Sequence, residues 1–550
     1  MTDVFPTWTA YEKGTETHQG LNPLGLEPLG AAISRRLLPG ITNATVHIRY
    51  FSFLSWVFWT FTQFHEGHGR TVTLDRRAQK RWRIRLENIH RSATLLEHPS
   101  GFTGLVGVEK ARRLDPDSGA STIDMSGDEA STPFQAAYYS ASFALLGCGE
   151  VQNDLVRLTP LGVRLGAAFD AGLRQARGSD AALGSVLRDA DRIPVQAMRT
   201  LSKGMTLGPL QVGTQEHSTL IEMLFRFEAP QVDTDIYAMA RRRGRCLGLL
   251  LELVRQARGR LATPYDLHDV FASGKFADGS PVEVPAAFEN EFALWRRFQE
   301  RQWQKLGINV VWEEVLDSIG SSIWPPRGET IKRELCGLAD RSQSLRAWVG
   351  EDGLGVAVGS ATDRAARRAA ALARSQASPI QSLAAEVTDE EAGSERLGQG
   401  IVALLLVVAH WKRIRDQIPP EQRWPHRAQE GPGRLPLDWF VSQTEQRAQG
   451  SLRSYLEWLV DRCIIDQANR VALEKLAAGQ YRFFILRDTD GFRIVKRRDP
   501  GASLSIDSRR FPAAYELLAG LNMVELRNGL DITAAGRAVL QREIRRSSSV

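Results

Sequence analysis

Several clusters of residues have the types that do chemistry, and each fails on spacing. His65 and His68 in "HEGHG" stand three apart, whereas a zinc-binding helix of the H-E-x-x-H kind sets its imidazoles four apart, one above the other on one face. They read either as a weak metal pair or as a polar helix end. "HWKRIRD" offers His410, Lys412 and Asp416, but the acid falls one residue short of an H-x-K phosphodiesterase and the segment reads as helix rather than strand. "FFILRDTDGFRIVK" supplies Asp488, Asp490 and Lys496, the types that hold a divalent metal in a nuclease, yet Asp490 falls in a turn instead of mid-strand. Gly101, Gly104 and Gly107 are followed by no Gly-Lys-Ser/Thr, so no phosphate loop is written. Cys148, Cys246, Cys336 and Cys463 make no C-x-x-C pair, which excludes a zinc ribbon and a redox couple and predicts buried, reduced thiols. The expectation is a chain without catalytic residue, metal or cofactor; a metal-dependent nuclease with a degenerate motif is the enzyme alternative.

The elements around these residues are mostly helical. The chain has 550 residues, 43% hydrophobic and 24% charged, the composition of a globular protein with several domains. Its formal net charge is +6, and arginine outnumbers lysine. Planar guanidinium groups suit phosphate recognition, although a GC-rich coding sequence gives the same bias. "TVHIRYFSFLSWVFWTFTQF" (45–64) is aromatic on every face, which predicts a buried helix. The following "RRAQKRWRIRLENIHRSATLLEH" opens with Arg76, Arg77, Lys80 and Arg81; it predicts a helix with one face packed inward and a basic face that either grips phosphates or is simply solvated. The turn-rich 115–131 reads as an exposed linker. No signal peptide is written, and the apolar runs 51–61 and 401–411 are shorter than the roughly 20 residues of a membrane span, so a cytoplasmic location away from membranes is expected.

Two stretches repeat one phrase. "LLGCGEVQNDLVRLTPLGVRL" (145–165) and "LLAGLNMVELRNGLDITAAGRAVL" (517–540) each give a leucine-rich helix end, a short strand, a polar turn, a second strand and Thr-x-x-Gly opening a helix. The turns are Asn153-Asp154 and Asn528-Gly529, and Thr159 and Thr533 cap the helix starts. This phrase resembles the recognition-helix end, wing and following "L-T-x-x-G" of winged-helix regulators of the MarR type. The resemblance covers about thirty residues at each site and implies DNA contacts: Gln135 and Tyr139 on the first recognition helix, Asn153 and Arg157 on its wing, Arg164 beyond it, and Arg509, Arg510, Arg527 and Arg537 in the second copy. The second helix, "FPAAYELLAGL", offers few donors for base edges.

The expected fold is mainly α and multidomain with small β-hairpins, with two winged-helix-like modules flanking a helical middle region. The segments expected are an aromatic-rich helical domain (1–114), a winged-helix-like module (132–182), a helical bundle (183–360), an Ala- and charge-rich connector (361–400), a helical region (401–480) and a hairpin with the second module (481–546). The opening "LNPLGLEPLG" and "LVGVEKARR" together with "RLTPLGVRL" resemble a large bacterial protein type of defence loci against phage and plasmids. That resemblance carries no activity of its own; with the winged-helix modules, the expectation is a non-catalytic, double-stranded-DNA-binding subunit of a complex such as a defence system. A protein scaffold docking other subunits through its winged helices is the alternative.

Overall fold

The computed structural model describes residues 24–26, 33–42, 46–67, 76–98, 121–125, 134, 139–152, 155–175, 178–188, 192–208, 210–227, 235–374, 383, 387, 393–415, 435–477, 484–487, 489–495, 510–526 and 529–548. The chain forms two compact units, neither continuous in sequence. Residues 34–267, 284–291 and 508–550 contribute to one, the repeat unit; residues 1–33, 268–283 and 292–507 contribute to the other, the helical unit. Both are mainly α, and the β-structure among the described residues is four two-stranded antiparallel sheets.

In chain order the repeat unit runs α1 (Arg49–Gly67), α2 (Arg76–Glu97), β1 (Thr122–Asp124), α3 (Tyr139–Leu145), β2 (Gly149–Gln152), β3 (Leu155–Leu158), α4 (Pro160–Leu173), α5 (Ser179–Val186), β4 (Arg192–Pro194), α6 (Val195–Met205), α7 (Gln215–Phe225) and α8 (Asp235–Ala257). The chain continues as α9 (Leu267–Ser273), α10 (Glu289–Ser321), α11 (Gly328–Arg341), α12 (Gln343–Val349), α13 (Val358–Arg374), α14 (Ser394–Arg415), α15 (Leu437–Gln446), α16 (Leu452–Trp458), a π-helical stretch (Leu459–Ile465), α17 (Asp466–Ala477), β5 (Ile485–Arg487) and β6 (Phe492–Ile494). It returns to the repeat unit as α18 (Arg510–Gly520), β7 (Val524–Leu526), β8 (Leu530–Ile532) and α19 (Ala534–Ser548).

The aromatic helix α1 is buried as its sequence predicts: Tyr50, Phe51, Phe53, Trp56, Phe58 and Phe61 are at most 2% exposed. Each such ring contributes roughly 1.5–3 kcal/mol, and the polar tips are matched. Trp56 Nε1 donates to Asp170 Oδ1 of α4 at 3.0 Å, and Arg49 Nε meets Glu216 Oε1 of α7 at 3.0 Å.

Helix α2 departs from expectation. Its exposed positions are confined to the start, and every residue from Trp82 to Thr94 is buried, so there is no single inward face. Several of its buried polar groups reach distant partners. Arg85 Nη1 donates to Val186 O at the end of α5 (3.0 Å), Asn88 Nδ2 to Met125 O (2.9 Å), and Glu87 Oε1 accepts from Phe134 N (2.9 Å). The expected linker 115–131 is corrected in part: Thr122–Asp124 pair with Arg192–Pro194 as β1 and β4, and Ile123 and Met125 are buried. The alternation of that short strand was hidden among turn-forming residues.

In the helical unit α14 runs through the core, with Ile401 to Val408 buried alongside Trp303, Trp312 and Trp411. Among the described residues it alone is long and apolar enough to cross a membrane by length and composition, and 78% of its apolar window is buried in protein. The predicted hairpin around Asp490-Gly491 is present, with Ile485 opposite Ile494 and Arg487 opposite Phe492. Residues 452–477 run as one helical stretch in which the π-helical Leu459–Ile465 separates α16 from α17, and Val460, Cys463 and Ile464 are buried there.

Candidate nucleic-acid interface

The two repeated phrases fold alike to the level of single hydrogen bonds. After α3 the chain reverses at Gly147, φ +74°; after α18 it reverses at Asn522, φ +53°. A left-handed residue at this position closes a helix, and glycine and asparagine tolerate it best. Cys148 N then bonds to Phe143 O (3.0 Å) and Met523 N to Leu518 O (2.9 Å). The hairpins follow, with four paired positions in β2–β3 and three in β7–β8. Thr159 Oγ1 donates to Gly147 O (2.6 Å) and accepts from Gly162 N (3.2 Å); Thr533 Oγ1 donates to Asn522 O (2.6 Å) and accepts from Gly536 N (3.1 Å). Gly162 and Gly536 press on the chain entering the hairpin so closely that a Cβ would lie 1.9 Å from Cys148 O in one copy and 2.1 Å from Met523 O in the other. The spacing of Thr-x-x-Gly is thus fixed by one helix cap and one steric contact, twice.

The likeness extends upstream of the phrase. In each copy a long helix packs on the Thr-capped one, α1 on α4 and α8 on α19. In each, the outer edge of the second strand is covered, which keeps an open strand edge from pairing elsewhere. The cover differs. In the first copy the Gln79 side-chain amide stands in for a strand, donating from Nε2 to Val156 O and accepting at Oε1 from Val156 N, both at 2.9 Å. In the second a main-chain carbonyl suffices, Leu530 N bonding to Leu261 O at 2.7 Å.

One helix holds both reversals. Near the start of α7, His217 Nε2 lies 2.9 Å from Leu521 O, and at its end Arg226 Nη2 donates to Gly147 O at 3.4 Å. The last carbonyls of α7 are capped by two arginines, which suits the negative end of a helix dipole. Arg243 reaches Leu224 O (3.0 Å) and Met223 O (2.9 Å), and Arg546 of α19 reaches Phe225 O (2.9 Å). Burial, then the charge of Arg226, pulls Arg243 down to about 9.

The nominated residues fall into three groups. Arg76, Arg77, Lys80 and Arg81 at the start of α2, Arg157 on β3, Arg164 on α4 and Arg537 on α19 are exposed. Gln79 lies between Arg77 and Lys80 and is bonded to the residue preceding Arg157, so its amide brings the basic helix start and the first hairpin together. Tyr139 and Arg510 begin α3 and α18; their side chains, with Gln135, Asn153, Arg509 and Arg527, lie outside the described residues.

The second copy carries an acidic group that the sequence reading passed over. Glu516 is exposed on α18, Tyr515 is half-buried beside it, and Glu525 and the 61% exposed Leu526 stand on β7. Partial desolvation against the helix surface raises the Glu516 carboxyl, and burial followed by the charges of Glu516 and Glu525 pushes the Tyr515 hydroxyl up to about 12. In the first copy His90 lies against Phe53 with ring centroids 4.1 Å apart; burial, then Arg49, Arg91 and His47, pulls it down to about 3.

The candidate catalytic groups are otherwise engaged. His410 Nδ1 contacts the buried Glu300 Oε1, Lys412 Nζ lies 3.5 Å from Glu445 Oε1, and Asp490 lies 3.9 Å from Arg493. Asp416, Asp488 and Lys496, with His68 and the His65 side chain, lie outside the described residues. Among the described residues no three His, Cys, Asp or Glu side chains cluster as metal ligands, and all four cysteines are buried and outside any disulfide. No protein-family model matches this chain, and no curated protein or solved structure matches it either.

Proposed function

We propose that the two copies are winged-helix modules, and that the chain binds double-stranded DNA without cutting it, chiefly through the first copy. The observation that carries this reading is the Gln79–Val156 pair, which sets four exposed cations of α2 beside a hairpin bearing Arg157. A basic helix start next to a wing offers several phosphate contacts at once, and such contacts give affinity that falls steeply with salt. The order of parts supports the module assignment: long helix, covered strand edge, short helix, two-stranded wing, Thr-capped helix. Action within a larger prokaryotic defence complex rests on the resemblance of the opening phrases.

Anisotropy of a labelled duplex at several salt concentrations tests the reading. Replacing Arg76, Arg77, Lys80 and Arg81 with alanine should flatten the plot of log affinity against log salt by about 1 per lost phosphate contact. Wild-type chain that leaves the duplex unbound at low salt would falsify it.

A second reading applies to the second copy. Exposed Glu516 and Leu526, with the half-buried Glu525, give its helix and wing an acidic and apolar surface, which repels phosphate and suits a protein subunit. In this reading one module holds DNA and the other docks a partner.

A further inference from the structure

Between α10 and α11 the helical unit turns through Ser322, Ile323, Trp324, Pro325 and Pro326. Ile323 is 93% and Trp324 81% exposed, the most exposed large apolar side chains among the described residues. Each forgoes roughly 1.5–3 kcal/mol of burial, although the loop is tightly held. Phe492 N of β6 donates to Pro326 O at 2.9 Å, and Ser322 Oγ donates to Ser318 O at 2.9 Å. Gly491 lies so close that a Cβ would stand 2.4 Å from Pro325 O. Two prolines fix φ just beyond the tip. Ile323 and Trp324 are therefore presented by a supported projection.

Its surroundings are cationic. Arg327 follows the prolines, and Arg487 and Arg493 are exposed on the hairpin that anchors the loop. The nearby carboxylates have cationic neighbours: Glu329 and Asp461 share Lys332, at 2.7 and 3.0 Å, and Asp490 lies 3.9 Å from Arg493. Among the described residues Arg327 and Arg487 make no ion pair, and both guanidinium groups are exposed. A protein hot spot is normally ringed by contacts that exclude water, whereas this narrow tip is bordered by serines and guanidinium groups. An exposed indole beside guanidinium groups is the arrangement that stacks on bases while holding the phosphates between them.

We propose that the Ile323–Trp324 tip is a nucleobase-stacking site, with Trp324 on the base and Arg327 and Arg487 serving the neighbouring phosphates. The inference rests on the reading of the chain as nucleic-acid-binding and adds to it a site that takes bases rather than backbone. The bases come from a single strand or from a duplex step opened by the apolar wedge, a mode that bends DNA in architectural proteins.

The test uses the full chain and its Trp324→Ala and Trp324→Phe variants against three labelled probes: a single-stranded oligodeoxynucleotide, the same strand carrying a run of abasic sites, and the matching duplex. Trp324→Ala should bind a base-bearing probe roughly 5- to 150-fold more weakly. Trp324→Phe should keep most of the affinity, and the abasic strand should not distinguish wild type from either variant. Loss on the single strand assigns the site to unpaired bases, and loss on the duplex alone assigns it to a wedged step. Equal binding of every probe by wild type and Trp324→Ala overturns the stacking site and leaves the tip to a protein partner. The α2 alanine variant, measured alongside, separates the two failures: if it alone loses affinity the repeat-unit reading stands, and if neither variant loses affinity both readings fall.

Discussion

The two copies in the repeat unit share a skeleton and differ in surface. Thr159 and Thr533 make the same two hydrogen bonds, Gly162 and Gly536 meet the same carbonyl, and Gly147 and Asn522 make the same left-handed reversal. Around the first, Arg76, Arg77, Lys80, Arg81 and Arg157 are exposed, with Glu150 opposite Arg157; the second helix and wing carry Glu516, Glu525 and Leu526, and Arg537 and Arg542 are exposed on the helix that follows. The residues that set the backbone are thus separable from those that choose a partner, which is why one fold supports unlike activities. The first copy also depends on side chains where the second uses main chain: Gln79 covers a strand edge that Leu261 O covers in its counterpart.

The largest expected difference between the copies is their response to acid. His90 is held neutral, pulled from 6.5 to about 3, so the unfolded chain takes up a proton over a range where the folded chain refuses it. Stability is then full above pH 6.5 and declines as pH falls through that value toward 3, by several kcal/mol in total. Chemical denaturation at stepped pH should show the decline in wild type and a shallower one in His90→Leu; parallel declines would remove His90 as its cause. Next come the glycines. Gly162→Ala and Gly536→Ala each force a methyl against a carbonyl oxygen and should cost about 3 kcal/mol in thermal or urea unfolding. A large cost at one site and none at the other breaks the equivalence of the copies. For function the asymmetry should be plain: alanine at Arg76, Arg77, Lys80 and Arg81 should weaken duplex binding about tenfold or more at moderate salt, while Glu516→Gln should leave it nearly unchanged. A loss confined to the second copy's own cations, Arg537 and Arg542, would reverse the assignment.

The phrase itself was legible because its constraints are local. A Thr cap, a Gly four positions into the cap-and-turn motif and an Asn-rich hairpin turn act over a few residues, and they placed β2, β3, β7, β8 and the starts of α4 and α19. The division of the basic run in α2 was not legible. Arg77 and Arg81 are exposed whereas Arg83 and Arg85 are buried, because Arg85 reaches a carbonyl at Val186 about a hundred residues away while Arg83 pairs with Glu87 and lies over the Phe134 ring. Hydrophobic periodicity counts an arginine as a surface residue and misses one that caps another helix. Gln79 was missed for the same reason, since nothing in its neighbours announces a strand edge at Val156. Nor does the sequence order reveal the two units, because the chain leaves the repeat unit after Leu267 and its last segment rejoins it only at Ser508.

Smaller effects sharpen the comparison further. Gln79→Ala strands the Val156 N–H and C=O and should cost about 2 kcal/mol, and by loosening α2 from the hairpin it should also weaken duplex binding a few-fold. Unchanged DNA affinity in a destabilised Gln79→Ala chain would show that the two basic elements act independently. The finest test is the pair Thr159→Ala and Thr533→Ala. Each removes a cap of about 1 kcal/mol, but the helix starts differ at both positions between Thr and Gly, Pro160-Leu161 against Ala534-Ala535, and the first of these bears on the cap. Proline fixes φ for the first helical turn and has no N–H to satisfy, so α4 is partly organised without its threonine and α19 is not. Thr533→Ala should therefore cost the more of the two by a few tenths of a kcal/mol, and Pro160→Ala should raise the cost of Thr159→Ala to match it. A double-mutant cycle over Thr159 and Pro160 showing strict additivity would mean that the two caps owe nothing to the residue that follows them.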